Sequence, residues 1–202
     1  MGYFPFFVDL TGKEGLIVGG GTVALRKVEK LLPYGPHLTV AAPEVLPELD
    51  SCPELTLLRR PFVPELLENK AFVIAATDDA AVNCEISALC QERGIPVNVV
   101  DDPEACTFLF PALVKRGDLS VGISTAGASP TAAVWLKQQV EGLIPERMEA
   151  ILDYLSEVRP VVKAAVPEER RGAAFARLFH ACMEQGRPLT KAELKTLLEV
   201  EP

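Results

Sequence analysis

Two spacings of apolar residues alternate along the first half of the chain. Short uninterrupted apolar runs are typical of strands that are buried on both faces of a parallel sheet, and they predict strands at 16–18, 37–42, 55–60, 71–76 and 95–100. Between them, apolar residues at helical spacing predict helices at 22–32, 64–68 and 80–93. An aromatic segment at 3–10 is expected to pack on the sheet. Strands that alternate with helices indicate an α/β fold with a doubly wound parallel sheet.

The pattern changes after Cys106. Strand-like segments at 107–113 and 119–124 flank a polar hairpin connection, and a helix is predicted at 131–143, with Ser129 as its N-cap. The remainder predicts helices at 146–158, 168–185 and 190–198, which prolines separate. Thr190 and Glu193 have the spacing of a capping box.

These changes predict three segments. Residues 1–112 form a nucleotide-binding domain, 113–145 a small central α+β segment, and 146–202 a helical C-terminal domain.

A glycine-rich turn joins the first strand to the first helix. Gly19, Gly21 and Ala24 fit the spacing G-x-G-x-x-G/A of Rossmann-type dinucleotide-binding folds. Gly19 would let the chain turn sharply, Gly21 would let a pyrophosphate approach the backbone, and Ala24 would let the helix pack closely on the strand. The alternative is a glycine-rich turn that binds no ligand.

Further candidates follow the other strands, whose carboxyl ends share one edge of a parallel sheet. Pro43 and Glu44 follow the second strand, and no Arg or Lys lies immediately there to receive a 2′-phosphate, so NAD is favoured over NADP. Thr77 follows the fourth strand, with Asp78 or Asp79 as the expected helix cap.

Composition excludes several classes of function. Hydrophobic residues make up 49% of the 202 residues and the formal net charge is −8, which argues against nucleic acid or an anionic membrane as a partner. No apolar run reaches membrane-spanning length, and the first residues lack the basic segment of a signal peptide. Five cysteines without a C-x-x-C motif fit the cytoplasm, and two distant histidines give no basis for a metal site.

Four blocks in order resemble the siroheme synthase family: 19–27, 75–79, 98–101 and 124–130. The resemblance covers nearly the whole chain to about Pro145. It implies an NAD-dependent precorrin-2 dehydrogenase, stand-alone or as the N-terminal part of a larger enzyme, that oxidises precorrin-2 to sirohydrochlorin. It also implies a homodimer whose contacts come from the central segment and the helical tail. Some members also insert Fe²⁺, so a bifunctional dehydrogenase and ferrochelatase is an alternative.

The resemblance also implies roles for individual residues. Asp101 matches the catalytic aspartate, and Ser124 and Thr125 match a loop in which the family often has two serines. The residues expected at the cofactor are Thr22, Val23, Pro43, Glu44 and Thr77.

The chemistry of the oxidation supports Asp101 independently, since a carboxylate beside the nicotinamide can take the proton that leaves with the hydride. The alternative is that Asp101 or Asp102 merely caps the turn before Pro103. Arg26, Lys27, Lys115, Arg116 and Lys137 are candidates for binding the many carboxylates of the substrate, or are ordinary solvated charges. A hypothesis of another class is a non-catalytic NAD-binding regulatory module, which needs only the glycine turn.

Overall fold

The computed structural model describes residues 3–199. The chain divides into two compact units, Met1–Phe110 and Pro111–Pro202.

The first unit is a parallel α/β domain. Its five-stranded sheet has the order β3-β2-β1-β4-β5. The strands are β1 Glu14–Val18, β2 His37–Ala41, β3 Leu55–Leu58, β4 Phe72–Ala75 and β5 Val97–Val99, and the helices are α1 Thr22–Leu31, α2 Pro47–Asp50 and α3 Ala80–Glu92. Single 3₁₀ turns lie at Leu32–Tyr34 and Pro64–Leu67. The predicted Rossmann-type fold class is confirmed.

Two apolar clusters cover the two faces of this sheet. Because side chains alternate along a strand, Leu16 and Val18 pack in the cluster that contains Ile86 and Cys90 of α3. Ile17 packs on the opposite face with residues of α1, which include Ala24, Val28 and Leu31. Burial on both faces explains why the strands read as continuous apolar runs.

The short edge strand β5 is closed by the segment that follows it. The N–H of Val97 donates to Thr107 Oγ1 at 2.8 Å, and the N–H of Thr107 donates to Val97 O at 2.8 Å. One step along, Val99 N–H donates to the sulfur of Cys106 at 3.1 Å, and that thiol donates to Val99 O at 3.2 Å.

The second unit begins with an antiparallel hairpin and continues as helices. Its elements are β6 Ala112–Arg116, β7 Leu119–Ile123, α4 Pro130–Leu143, α5 Met148–Ala165, α6 Glu168–Gln185 and α7 Lys191–Glu199. Ser129 caps α4, since its Oγ accepts from Ala132 N–H at 3.1 Å, as predicted. The predicted capping box is also confirmed, because Thr190 N–H donates to Glu193 Oε2 at 2.6 Å and Glu193 N–H donates to Thr190 Oγ1 at 3.3 Å.

Three predictions of local structure are wrong. Residues 3–10 form no strand, and Phe4, Phe6 and Phe7 are 74–80% exposed rather than packed on the sheet. Residues 107–111 lie outside any strand, because Thr107 and Cys106 bond to β5 instead, and β6 begins only at Ala112.

The third correction concerns Pro160, which was expected to separate two helices. It lies inside α5. A proline removes one helical hydrogen bond, but Val158 and Val162 on either side of it are buried in the core of the unit. Tertiary packing therefore carries the helix through a residue that usually breaks one.

Candidate functional site

The three glycines after β1 meet different surroundings. Gly19 has a φ of +125°, and a Cβ there would overlap the backbone of Ala76. A Cβ on Gly20 would overlap the carbonyl of Glu44. Gly21 has no heavy atom within 4 Å of the position that its Cβ would take. Gly19 and Gly20 are therefore required by the fold. Gly21 instead borders open space that a ligand can enter.

The N-terminus of α1 offers unsatisfied donors beside this space. The N-cap is Gly21, which supplies no side-chain hydrogen bond, and the first turn contains no acidic residue. The first N–H groups of the helix and its positive dipole end are thus free to receive an anion. Thr22 and Val23 are exposed in this first turn. An open backbone cradle with free N–H groups fits the pyrophosphate of a dinucleotide.

A cleft of about 650 Å³ lies at the carboxyl ends of β1, β2 and β4. Of the residues predicted at the cofactor, five line it, namely Gly19, Gly21, Pro43, Glu44 and Thr77. Thr22, Val23 and Asp101 are not among its lining residues. The parallel sheet thus brings most of the predicted cofactor residues into one cavity.

The cleft wall is acidic. Four carboxylates line it, and among the described residues no Lys or Arg does; the acids are Glu44, Asp78, Asp79 and Glu85. Asp79 is also the cap of α3, because its Oδ1 accepts from Ala81 N–H at 2.8 Å and Val82 N–H at 3.2 Å. The prediction that Asp78 or Asp79 caps this helix is therefore confirmed for Asp79.

The side chain of Thr77 is turned toward α3. Its Oγ1 donates to Asn83 Oδ1 at 2.7 Å, and Asn83 Nδ2 donates back to Thr77 O at 3.0 Å. Asn83 is 7% exposed and was missed in the sequence, because its role depends on burial that only the folded structure shows.

Asp101 follows β5 in an unusual conformation. Its φ is +61°, in the left-handed region that costs a non-glycine residue energy and that recurs at functional sites. The side chain is exposed. Its neighbour Asp102 is occupied locally, because Oδ1 accepts from Ala105 N–H at 3.2 Å. Asp101 is therefore the carboxylate of this turn that remains available for chemistry.

A buried polar residue just before this turn contacts a lysine from α1. Asn98, which is 5% exposed, accepts a hydrogen bond from Lys27 Nζ at 3.3 Å. The same ammonium lies 3.8 Å from the centroid of the Phe110 ring. The sequence marked Lys27 only as one of several basic residues and gave no sign of Phe110.

The residues predicted to contact substrate lie in the second unit. Ser124 and Thr125 follow β7, and Thr125 Oγ1 donates to Ser129 O at 3.0 Å and accepts from Ser129 N–H at 3.2 Å. Ser124 Oγ accepts from Ala126 N–H at 3.1 Å. These hydroxyls stabilise the loop that leads into α4. In this loop, Ala126 has a φ of +51°.

Lys115 and Arg116 end β6 and bond to nearby backbone. Lys115 Nζ donates to the carbonyl of Gly117, and Arg116 donates to the carbonyl of Lys115 at 2.8 Å. Their predicted contacts with substrate stay a prediction.

Residues 3–199 lack the features of two other classes of site. They contain no group of three or more His, Cys, Asp or Glu side chains placed to hold a metal ion. None of the helices in this range combines the length and apolar character needed to cross a membrane.

Comparison with known proteins shows which family the chain belongs to. A family model described as putative NAD(P)-binding matches residues 6–112, and one described as sirohaem biosynthesis protein central matches residues 116–143. A siroheme synthase of Thioalkalivibrio sulfidiphilus is 40% identical over 89% of this chain and 37% of its own length. Siroheme synthase 2 of Yersinia pestis is 38% identical over 100% of this chain and 44% of its own length.

The chain thus spans about two fifths of the length of the curated relatives it matches. A solved structure of similar size, SirC, precorrin-2 dehydrogenase, is 27% identical, with a TM-score of 0.73 over 98% of both chains. The chain belongs to the putative NAD(P)-binding family, and its predicted resemblance to siroheme synthases is confirmed.

Proposed function

We propose that this chain oxidises precorrin-2 to sirohydrochlorin with NAD⁺ as the hydride acceptor and Asp101 as the general base. The observation that supports the proposal most is the pairing of two features at the carboxyl ends of one sheet. An open glycine turn with free helix N–H groups follows β1, and an exposed carboxylate in a strained turn follows β5. The similarity to SirC over 98% of both chains supports a dehydrogenase from this length of chain.

The cofactor would be held by residues that line the cleft and by the adjoining N-terminus of α1. Gly21 and the N-terminus of α1, with Thr22 and Val23 in its first turn, would receive the pyrophosphate. Pro43 and Glu44 would contact the adenosine ribose, and Thr77 would lie on the facing strand end. The acidic wall, without a lining Lys or Arg among the described residues, opposes a 2′-phosphate and supports NAD rather than NADP.

The oxidation removes two electrons and two protons from the macrocycle. The nicotinamide, when bound, accepts the electrons and one proton as a hydride. Asp101 accepts the other proton and releases it to solvent, which completes the balance of one precorrin-2 and one NAD⁺ to one sirohydrochlorin, one NADH and one H⁺. The left-handed backbone at Asp101 sets the direction in which its side chain leaves the chain, and the carboxylate of Asp102 is engaged by the N–H of Ala105.

The test compares wild type with Asp101→Asn, and uses Asp102→Asn as the neighbouring control. We expect Asp101→Asn to lower kcat for sirohydrochlorin formation by roughly 10²- to 10⁴-fold, while the Kd for NAD⁺ stays unchanged. Asp102→Asn should keep activity, because an amide oxygen can still accept from Ala105 N–H.

Two results would contradict the proposal. Absence of turnover by wild type with NAD⁺ and precorrin-2, together with normal NAD⁺ binding, would favour a regulatory NAD-binding module. Full activity of Asp101→Asn would remove the proposed base. Insertion of Fe²⁺ or Co²⁺ into sirohydrochlorin, measured separately with the same variants, decides whether the chain is also a ferrochelatase.

The active form is proposed to be a homodimer. The support is a run of apolar side chains that α4 leaves exposed, with Val134 at 51%, Trp135 at 57% and Leu143 at 78%. Light scattering should give the mass of a dimer for wild type and of a monomer for Trp135→Glu, with Gln138→Glu on the same helix as the charge control.

The proposal extends to place of action and to substrate contacts. All five cysteines are free thiols, which supports the cytoplasm. Ser124, Thr125, Lys115 and Arg116 are proposed to bind the substrate, on the basis of the family resemblance. Their variants should raise KM for precorrin-2 and leave the Kd for NAD⁺ unchanged.

A further inference from the structure

Lys27 is a half-buried cation that forms no ion pair with a carboxylate of residues 3–199. It projects from α1, and its ammonium contacts the side-chain oxygen of Asn98 and the face of the Phe110 ring. Among residues 3–199, no acidic oxygen lies within 4.0 Å of it. A buried charge is usually paired with an opposite charge, so the ammonium of Lys27 is suited to receive an anionic ligand.

The contacts of Asn98 fix which atom faces Lys27. Asn98 Nδ2 donates to Phe108 O at 3.1 Å, and a carbonyl can only accept. The amide oxygen is therefore the atom directed at the ammonium, and it cannot neutralise a full positive charge. Phe110 stabilises the cation through its ring face but likewise contributes no formal negative charge.

The electrostatic environment shows the cost of this arrangement. Burial lowers the pKa of Lys27 from 10.5 to about 8, and Lys30 on the same helix acts in the same direction. Electrostatic interactions with Cys106 and Asp101 act in the opposite direction. The charged form of Lys27 is therefore disfavoured in the protein alone. An anion bound beside it would raise the pKa of Lys27 again.

We infer that Lys27 binds a carboxylate of the tetrapyrrole substrate and so anchors the macrocycle beside Asp101. This inference rests on the proposed function, because precorrin-2 carries carboxylate side chains. Asn98 and Phe110 already fix the ammonium, so little side-chain entropy is lost on binding. A phosphate of the cofactor is the alternative anion, and titration with NAD⁺ as a separate probe distinguishes the two.

The test uses Lys27→Met, Lys27→Arg and the control Lys30→Met, with sirohydrochlorin and NAD⁺ as separate probes. Lys27→Met should weaken sirohydrochlorin binding about 10- to 100-fold, the range expected for a lost charge-assisted hydrogen bond. Its Kd for NAD⁺ and its Tm should not fall, because Met removes a poorly compensated charge and fills similar space. Lys30→Met should bind both probes no more weakly than wild type, because loss of the Lys30 charge favours the charged form of Lys27.

Proton uptake separates a ligand contact from a structural role. Calorimetry at pH 8.5 in buffers of different ionisation enthalpy should show that wild type takes up protons as sirohydrochlorin binds. Lys27→Arg should bind without that uptake, because arginine is already charged. If Lys27→Met fails to fold, the proton uptake of Lys27→Arg still tests whether Lys27 contacts the ligand.

Three results would overturn the inference: sirohydrochlorin binding unaffected in Lys27→Met, proton uptake unchanged in Lys27→Arg, or an equal loss of NAD⁺ affinity. The last result would assign Lys27 to the cofactor phosphates. Failure of the proposed function is distinguishable from all three, since it appears as absence of turnover by the wild type.

Discussion

Asn83 holds Thr77 by a ring of hydrogen bonds. The amide oxygen of Asn83 accepts from Thr77 N–H at 3.3 Å and from Thr77 Oγ1 at 2.7 Å, while its amide nitrogen donates to Thr77 O at 3.0 Å. A residue of α3 thus satisfies both backbone groups of a residue that lines the cofactor cleft. The position of Thr77 in the cleft wall is therefore fixed by its hydrogen bonds to Asn83 of α3.

Replacing Asn83 should disturb both stability and the cleft. Asn83→Ala leaves the N–H and carbonyl of Thr77 without these partners, which we expect to lower the free energy of unfolding by about 2 kcal/mol. The Kd for NAD⁺ should rise several-fold because the strand end is no longer fixed. Urea unfolding and fluorescence titration measure the two effects, and Cys84→Ala at the next, exposed position should change neither.

The glycines of the turn should separate folding from binding. Gly21→Ala places a methyl group in open space, so stability should stay within about 1 kcal/mol of wild type while NAD⁺ affinity falls at least about 10-fold. Gly20→Ala should instead unfold at a lower temperature, because its Cβ meets the carbonyl of Glu44. Equal melting temperatures and equal NAD⁺ affinity in both variants would contradict this division.

The acidic wall should discriminate between the two nicotinamide dinucleotides. A 2′-phosphate near Glu44 meets a like charge without a lining Lys or Arg among the described residues, so NADP⁺ should bind at least about 10-fold more weakly than NAD⁺. Glu44→Gln should narrow this ratio through tighter NADP⁺ binding. Glu48→Gln on α2, which does not line the cleft, is the control.

The left-handed backbone of Asp101 should be visible in stability as well as in activity. Asp101→Gly should keep the free energy of unfolding within about 1 kcal/mol, because glycine adopts a φ of +61° readily. Asp101→Val should lower it by about 1–2 kcal/mol, since a β-branched residue is strained there. Chemical denaturation measures the difference, and both variants should lack dehydrogenase activity under the proposed function.

The capping box of α7 should make the helical unit sensitive to acid. The hydrogen bond from Arg187, followed by those from Thr190, lowers the pKa of Glu193 to about 2 from an ordinary 4.5. The folded pKa lies below the unfolded one, so the stabilisation is complete above pH 4.5 and is lost as the pH falls toward 2.

Glu193→Gln should therefore melt below wild type at pH 6, and the difference should disappear near pH 2. Circular dichroism melts across this range measure it. Glu199→Gln, which removes only an i,i+4 pair with Lys195, should show no such dependence on pH. A difference between wild type and Glu193→Gln that stays constant with pH would contradict the explanation.

The fold could be predicted from the sequence where local pattern and packing agree. The strand, glycine turn and helix at 14–31 are encoded by neighbouring residues, and so are the caps at Asp79, Ser129 and Thr190. Pro160 was mispredicted because tertiary packing continues the helix through it. Residues 3–10 were mispredicted because their phenylalanines do not pack on the sheet.

Distance along the chain limited the prediction of the site. Lys27 and Asn98 are 71 residues apart, so their contact leaves no periodic signal in either segment. Asn83 reaches back only six residues to Thr77, yet its role depends on burial, which composition does not show. The parallel sheet places strand ends predictably, whereas the side chains that converge on them depend on the whole fold.

The closure of β5 by Thr107 and Cys106 has a consequence for solubility. Val97 and Val99 direct their backbone N–H and carbonyl groups toward the outer edge of β5. These groups are already hydrogen-bonded. Another strand could pair with this edge only by displacing Thr107 and Cys106, so edge-to-edge pairing of β5 with a second chain is disfavoured.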